Sequence, residues 1–166
     1  MKTIASVITA VAILAGGTSR VIAQGHAHVI QTPAETQWGP APPMLPTGAQ
    51  IAVLSGDPTK AVPYAVRLKF PANYAIPAHS HPTDENVVVT SGAITFGMGN
   101  KLNKSALGNK ALGVGGYALM PANMNHFAYT TAETTIVLYG QGPVEFKYVN
   151  PADDPRNAAS PKTATK

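Results

Sequence analysis

Apolar and polar residues alternate with a period of two through the middle of the chain. Val66, Leu68 and Phe70 alternate with Arg67 and Lys69, and Ile94, Phe96 and Met98 alternate with Thr95 and Gly97. Successive side chains of a strand leave opposite faces, so this pattern predicts half-buried β-strands. Shorter apolar runs at 51–54, Tyr117–Met120, 134–139 and 144–149 are each bounded by Gly, Pro, Asn or Ser. Many short strands with closely spaced turn signals predict an antiparallel sandwich or barrel. The one long interruption, 100–112, reads either as a lid or as a surface hairpin, and no repeat of fixed period is present.

Composition narrows the class. With 15 Gly and 15 Pro among 166 residues, long helices have little room and a helical bundle is excluded. Charged residues make up 12% and hydrophobic residues 45%, which fits one folded domain and excludes a charged disordered chain or a coiled coil. The net charge of +4 gathers into no Lys/Arg run interleaved with aromatics, so nucleic acid is not an expected partner. Cysteine is absent, which excludes disulfides, thiolate nucleophiles and Cys-ligated metal. Any metal must use His, carboxylate or backbone ligands.

The two ends read differently from the middle. Lys2 precedes an uncharged stretch over 3–19 with the apolar centre IASVITAVAILA, which Gly16, Gly17, Thr18, Ser19 and Arg20 then close. A membrane span needs about 20 mostly apolar residues. The segment therefore reads as a signal peptide over 1–23, cleaved after Ala23, with Ala15-Gly16-Gly17 as a second cleavage possibility. No twin arginine precedes the apolar run, so export in the unfolded state, a periplasmic or secreted location and no stable membrane association after cleavage are expected. Residues 24–46 are Pro-rich and weakly periodic, an extended arm that Trp38 would anchor; 47–150 would form the barrel, and 151–166 a disordered tail. After cleavage His26 would be third from a free amine, a position from which copper or nickel can be wrapped in square-planar nitrogen ligation. The opposing reading is that His26 and His28 bind nothing specific.

Candidate chemistry lies in two stretches. In YAIPAHSHPTDENVVVTSG, from Tyr74 to Gly92, His79 and His81 are two apart, and Glu85, Val87 and Val89 keep the same parity. Two imidazoles and a carboxylate would then leave one face of extended chain. Pro77 and Pro82 bracket the histidines and reduce the entropy lost in ordering them. In GGYALMPANMNHFAYT, from Gly115 to Thr130, His126 starts the return strand of a strand–turn–strand unit. Neutral imidazoles with one carboxylate suit Zn, Fe, Mn, Ni or Cu at about 2.0–2.2 Å. By the same parity Asp84 and Arg67 face outward, while Tyr74, Phe96, Tyr117, Phe127, Tyr129, Phe146 and Tyr148 read as barrel packing.

These residues resemble the two motifs of the cupins, small antiparallel barrels related to the jelly rolls. The first, G-x5-H-x-H-x3-E-x6-G, is met by His79, His81, Glu85 and Gly92, with Asn73 at its first glycine; the second, G-x5-P-x-G-x2-H-x3-N, is met by Gly115, Pro121 and His126. Asn123 stands at the central glycine of the second motif and Thr130 at its final asparagine. Asn is the residue best able to take positive φ after Gly, so both Gly-to-Asn departures fall where turns tolerate them. The resemblance covers 51–154 and, with GDP, RLKFP and YVNPADDPR, looks like a subgroup of small single-domain bacterial cupins. It implies an all-β, jelly-roll-like barrel and one divalent transition metal (Fe, Mn, Ni, Cu or Zn) held by His79, His81, Glu85 and His126, with Glu85 either a ligand or a hydrogen-bond partner of the ligands. It also implies a homodimer and a small-molecule substrate or ligand. Cupins with this ligand set include dioxygenases, oxalate-acting oxidases and decarboxylases, and isomerases, which suggests an oxygen-rich substrate. Sensory cupins instead bind without turnover, and no catalytic acid or base is legible in the chain. Inward polar groups near the metal would favour an enzyme, whereas a mouth lined only by Val87, Val89, Ile94 and Met98 would favour a binding module.

Overall fold

The computed structural model describes residues 28–158. The expected signal peptide over 1–23, its cleavage site and His26 lie outside these residues, as do positions 159–166. The described chain forms β1 (Gly39–Pro40), β2 (Gln50–Ser55), β3 (Pro63–Phe70), β4 (Ala75–Ser80), β5 (Glu85–Ser91), β6 (Ile94–Met98), β7 (Lys110–Leu112), β8 (Tyr117–Met120), β9 (His126–Thr130), β10 (Thr134–Gln141) and β11 (Lys147–Tyr148). One sheet has six strands in the order β1-β2-β3-β10-β5-β8, and the other has five in the order β11-β4-β9-β6-β7. From β3 to β6 and again from β8 to β11, every connection crosses from one sheet to the other. This is the jelly-roll-like antiparallel barrel that the alternation and the cupin resemblance both imply.

The core is where the inward rows of the two sheets meet. Tyr64, Val66, Leu68 and Phe70 of β3, Val87 and Val89 of β5 and Ile136 and Leu138 of β10 face Ile76, Ile94, Phe96 and Ala128 of the other sheet. Each fully buried Val, Leu, Ile or Phe contributes roughly 1.5–3 kcal/mol relative to exposure. Asn73 and Asn123 take positive φ, 59° and 61°, as their places in the two motifs require.

Two strands depart from the alternation. Along β6 the burial departs from alternation at Gly97, which is covered by the Phe127 ring so closely that a Cβ there would lie 2.2 Å from it. Met98 keeps its register, directly opposite His126, and is 49% exposed at the end of the strand. The apolar run over 144–149 contributes only the two residues of β11, since the chain before it leaves the sheet: Gly142 N–H donates to Val62 O and Val144 N–H to Pro58 O. The interruption over 100–112 is a surface hairpin whose return, β7, pairs with β6 as a sheet edge.

From residue 28 onward the arm lies along the six-stranded sheet. A single 3-10 turn at Pro33–Glu35 leads into β1, which pairs with β2. The Lys69 ammonium sits 4.5 Å from the Trp38 ring centroid, and Arg67 donates to the Thr36 hydroxyl. Two buried phenols fix the next residues: Tyr148 donates to Met44 O at 2.7 Å, and Tyr74 donates to Pro46 O. At the other end, residues 151–158 belong to the segment expected to be a disordered tail, yet they carry a 3-10 turn at Pro151–Asp153 and one helical turn at Pro155–Ala158. Arg156 accounts for that order, bridging the Asp154 carboxylate at 2.6 Å and Phe146 O at 2.9 Å.

Candidate metal centre

β4 ends at Ser80, and residues 81–84 turn the corner into β5, which begins at Glu85 in the opposite sheet. The histidines and Glu85 therefore do not share one strand, as simple parity suggests; a corner between sheets brings them together. His126 opens β9 directly opposite His79, and Asn123 N–H donates to His81 O at 2.7 Å, holding the second motif against the first. Ring centroids are 4.4 Å apart for His79 and His126, 4.9 Å for His79 and His81, and 5.2 Å for His81 and His126. One nitrogen from each of the three buried rings lies within 4.8 Å of the others. Glu85 enters from the facing sheet, with Oε1 3.5 Å from His81 Nε2 and Oε2 3.8 Å from His126 Nε2.

The tautomers follow from the backbone. Each Nδ1 lies against a carbonyl oxygen: His79 against Pro77 O at 2.7 Å, His81 against Glu145 O at 2.8 Å and His126 against Met124 O at 3.1 Å. A carbonyl only accepts, so each Nδ1 donates and each Nε2 keeps its lone pair. Burial holds all three imidazoles below their usual range, His79 down to about 2 with His126 and His81 adding to the effect. Burial also pushes the Glu85 carboxyl up to about 7, partly offset by His126.

Three neutral Nε2 lone pairs thus face one another beside the Glu85 carboxyl, and His81 Nε2 is buried with no hydrogen-bond partner. Acceptors converging in a low-dielectric pocket repel unless a cation lies between them. The donor set therefore fits a divalent transition ion, and the carbonyls that orient each ring are the supports that ligand histidines need. Phe146 walls the group, stacking on His79 at 4.5 Å and 13° and meeting His81 edge-on at 4.5 Å.

The remaining sequence candidates divide. Asp84 is exposed and accepts from Ala122 N–H at 2.8 Å, which ties the corner to the 121–125 turn. Arg67 faces outward and holds the arm. Tyr74, Phe96, Phe127 and Tyr148 are buried packing, whereas Tyr117 is exposed and donates to Asn86. His28 is exposed.

Sequence reasoning passed over Tyr64, which the structure places beside the site. Tyr64, Gly140 and Glu85 are in register across β3, β10 and β5, all on the inward face. Because Gly140 has no side chain, the phenol lies over it; a Cβ there would be 3.6 Å from the hydroxyl. Tyr64 continues the inward alternation of Val66 and Leu68, and that signal was available in the sequence. A cavity of about 70 Å³ opens between this row, the arm and the 142–146 segment, lined by Tyr64, Glu85 and Phe146 together with apolar residues.

A two-sheet antiparallel barrel with three imidazoles and a carboxylate turned into one end is the architecture of a cupin. The family model described as ChrR Cupin-like domain matches residues 26–145, and the chain belongs to that family. No curated protein matches it in sequence. Among solved structures it is similar to a putative acetylacetone dioxygenase from Methylibium petroleiphilum (TM-score 0.59, 20% identity, 79% of this chain and 87% of that one). It is also similar to the polyketide cyclase RemF from Streptomyces resistomycificus (TM-score 0.58, 13% identity, 78% and 90%). An RmlC-like cupin from Shewanella frigidimarina aligns with a TM-score of 0.52 at 13% identity, over 68% of this chain and 89% of that one. At these identities the likeness carries the fold and no more.

Proposed function

We propose that this protein is an exported, metal-dependent cupin enzyme acting on a small oxygen-bearing molecule, with His79, His81, Glu85 and His126 holding one divalent transition ion. The observation that carries this reading is the set of unpaired acceptors: three Nε2 atoms with fixed tautomers and one buried carboxylate facing a common point. An ion held there would supply Lewis-acid polarisation of a substrate oxygen and, for iron, manganese, nickel or copper, redox chemistry that zinc lacks.

The chain's own residues would do the rest. Pro77 O, Glu145 O and Met124 O keep the imidazole rings turned toward the centre. Phe146 and the arm exclude water on the cavity side. Glu85 would add the one carboxylate to the three imidazoles, its burial cost offset by the cation it faces. The test is metal analysis of protein purified from its native compartment, followed by turnover assays after loading with iron, manganese, nickel, copper or zinc. Turnover that follows particular metals supports the enzyme.

A second reading, a non-catalytic metal- or small-ligand-binding module, draws on one observation: the cavity walls are almost wholly apolar. Silence with every metal across a panel of diketones, flavonols, oxalate and sugars would favour it. The dioxygenase and the cyclase that share this fold lend the enzyme reading support from fold alone.

A further inference from the structure

Three tyrosines of the barrel are buried, and they differ in one respect. Tyr74 and Tyr148 donate to carbonyls of the arm, but the Tyr64 hydroxyl has no protein acceptor among the described residues, although Tyr64 is only 6% exposed. Unlike His81 Nε2, the Tyr64 oxygen is not fully sealed, so its proton is available to a molecule held in the adjoining cavity. The hydroxyl lies over Gly140, one strand from Glu85, and Tyr64 lines the 70 Å³ cavity. Apart from Tyr64, only Thr59 and Glu85 bring polar side chains to that wall; the rest is Pro, Met, Leu, Ile, Val and Phe. A second void of about 20 Å³ shares Leu45, Leu68, Glu85 and Phe146 with the first and reaches His79. The two voids are neighbours behind shared walls, the larger against the arm and the smaller against His79.

We infer that the site takes a short, mainly apolar molecule with one carbonyl or carboxylate head, whose oxygen accepts from the Tyr64 hydroxyl while its tail lies among Leu45, Val66, Leu68 and Leu138. This rests on the reading of the site above only for the head's approach to the histidines. A cavity of about 150 Å³ takes benzene, roughly 25 Å³ for each non-hydrogen atom, so the chamber holds about three such atoms and the remainder of a short tail extends toward its opening. Sugars and other polyols do not fit, because most of their hydroxyls would be buried without partners, and a dicarboxylate such as oxalate would bury its second charge against Leu and Val. Tyr64 is in this scheme the residue that sets which head group is held and how it is turned.

Equilibrium binding measured by calorimetry on the full mature protein tests this, with metal content determined on the same samples. The probes are 2-pentanone, pentanoate, glycerol and oxalate. Binding by 2-pentanone or pentanoate is expected, with whichever of the two is tighter identifying a neutral or an anionic head. Glycerol and oxalate should bind at least tenfold more weakly. Tyr64→Phe, which keeps the ring packing, should weaken the better probe roughly five- to tenfold. Val66→Thr, which keeps the shape and adds a hydroxyl to the tail wall, should weaken it several-fold, with folding of both variants checked by circular dichroism. Glycerol or oxalate binding as tightly as the pentyl probes, or unchanged affinity in Tyr64→Phe, overturns the inference. If probes bind with this Tyr64 dependence to samples that hold no metal, the metal reading fails and the ligand class stands. If samples hold metal and bind neither pentyl probe, the ligand class fails and the metal reading stands.

Discussion

His81 Nε2 lies 3.5 Å from Glu85 Oε1 across the corner between the two sheets, with His81 opening the corner, Glu85 closing it and only three residues between them. Both atoms are acceptors as the backbone orients them, so their approach is stable only with a cation or a shared proton between them.

Metal content should follow from that geometry. His79→Ala/His126→Ala is expected to abolish transition-metal retention, measured by elemental analysis after gel filtration. Glu85→Ala should lose less than either single His→Ala, because the three imidazoles alone already define the point of convergence. A chelator should lower the melting temperature of the wild type and leave the double variant unchanged. Equal metal in wild type and double variant would remove the site.

The metal-free protein should carry a pH signature of Glu85. Its folded pKa of about 7 exceeds the ordinary 4.5, so between these values the folded state holds a proton that the unfolded chain has released. Stability is then lost as pH rises through that window and is fully lost above it. Glu85→Gln has no such proton; His79 and His81 are depressed in both proteins, while His126 loses the Glu85 charge that raises it, which adds to the variant's gain as pH rises. Urea unfolding with chelator present should show the variant gaining on the wild type by roughly 2–3 kcal/mol between pH 4.5 and pH 8. A constant difference across that range would show that burial does not raise Glu85.

Phe146 should couple stability to metal retention. It is buried and packs on His79 and His81, so Phe146→Ala is expected to cost about 3 kcal/mol in denaturant unfolding and to speed metal loss to a chelator. Phe146→Leu, which refills most of the volume without a ring face, should recover stability more than retention. Equal recovery of both would reduce Phe146 to packing.

The two motif asparagines should behave as positive-φ positions. Asn73→Ala and Asn123→Ala are each expected to cost about 1 kcal/mol, and the Gly replacements to cost far less, because Cβ crowds the following carbonyl at φ near +60°. Thermal unfolding of the four variants gives the comparison. Alanine and glycine variants of equal stability would contradict it.

Export and assembly are separable questions. Mass spectrometry of the protein from cells is expected to give a soluble form starting at Gln24, and light scattering a homodimer. An intact Met1 form in membranes would overturn the first, and a monomer mass the second.

Much of this protein is written locally. The period-two alternation through 63–70 and the punctuated runs at Tyr117–Met120 and 134–139 specify strands because a pleated chain must bury every second residue, and that requirement can be read without partners. The histidine spacing and the asparagines at the turns are legible for the same reason: ligand type and positive φ are properties of single residues and their near neighbours.

Only the tertiary structure decided the rest, because it depends on which strands are placed in register across sheets. A corner after Ser80, not one continuous strand, carries Glu85 to the histidines. Gly97 is buried against Phe127, although its place in the alternation is a polar, outward one. Residues 142–146 exchange sheet pairing for bonds to Val62 and Pro58, and so bring Glu145 O and Phe146 to His81 and His79. Tyr64 gains a role because Gly140 lies beside it across β10, a pairing of residues 76 positions apart that no local pattern encodes.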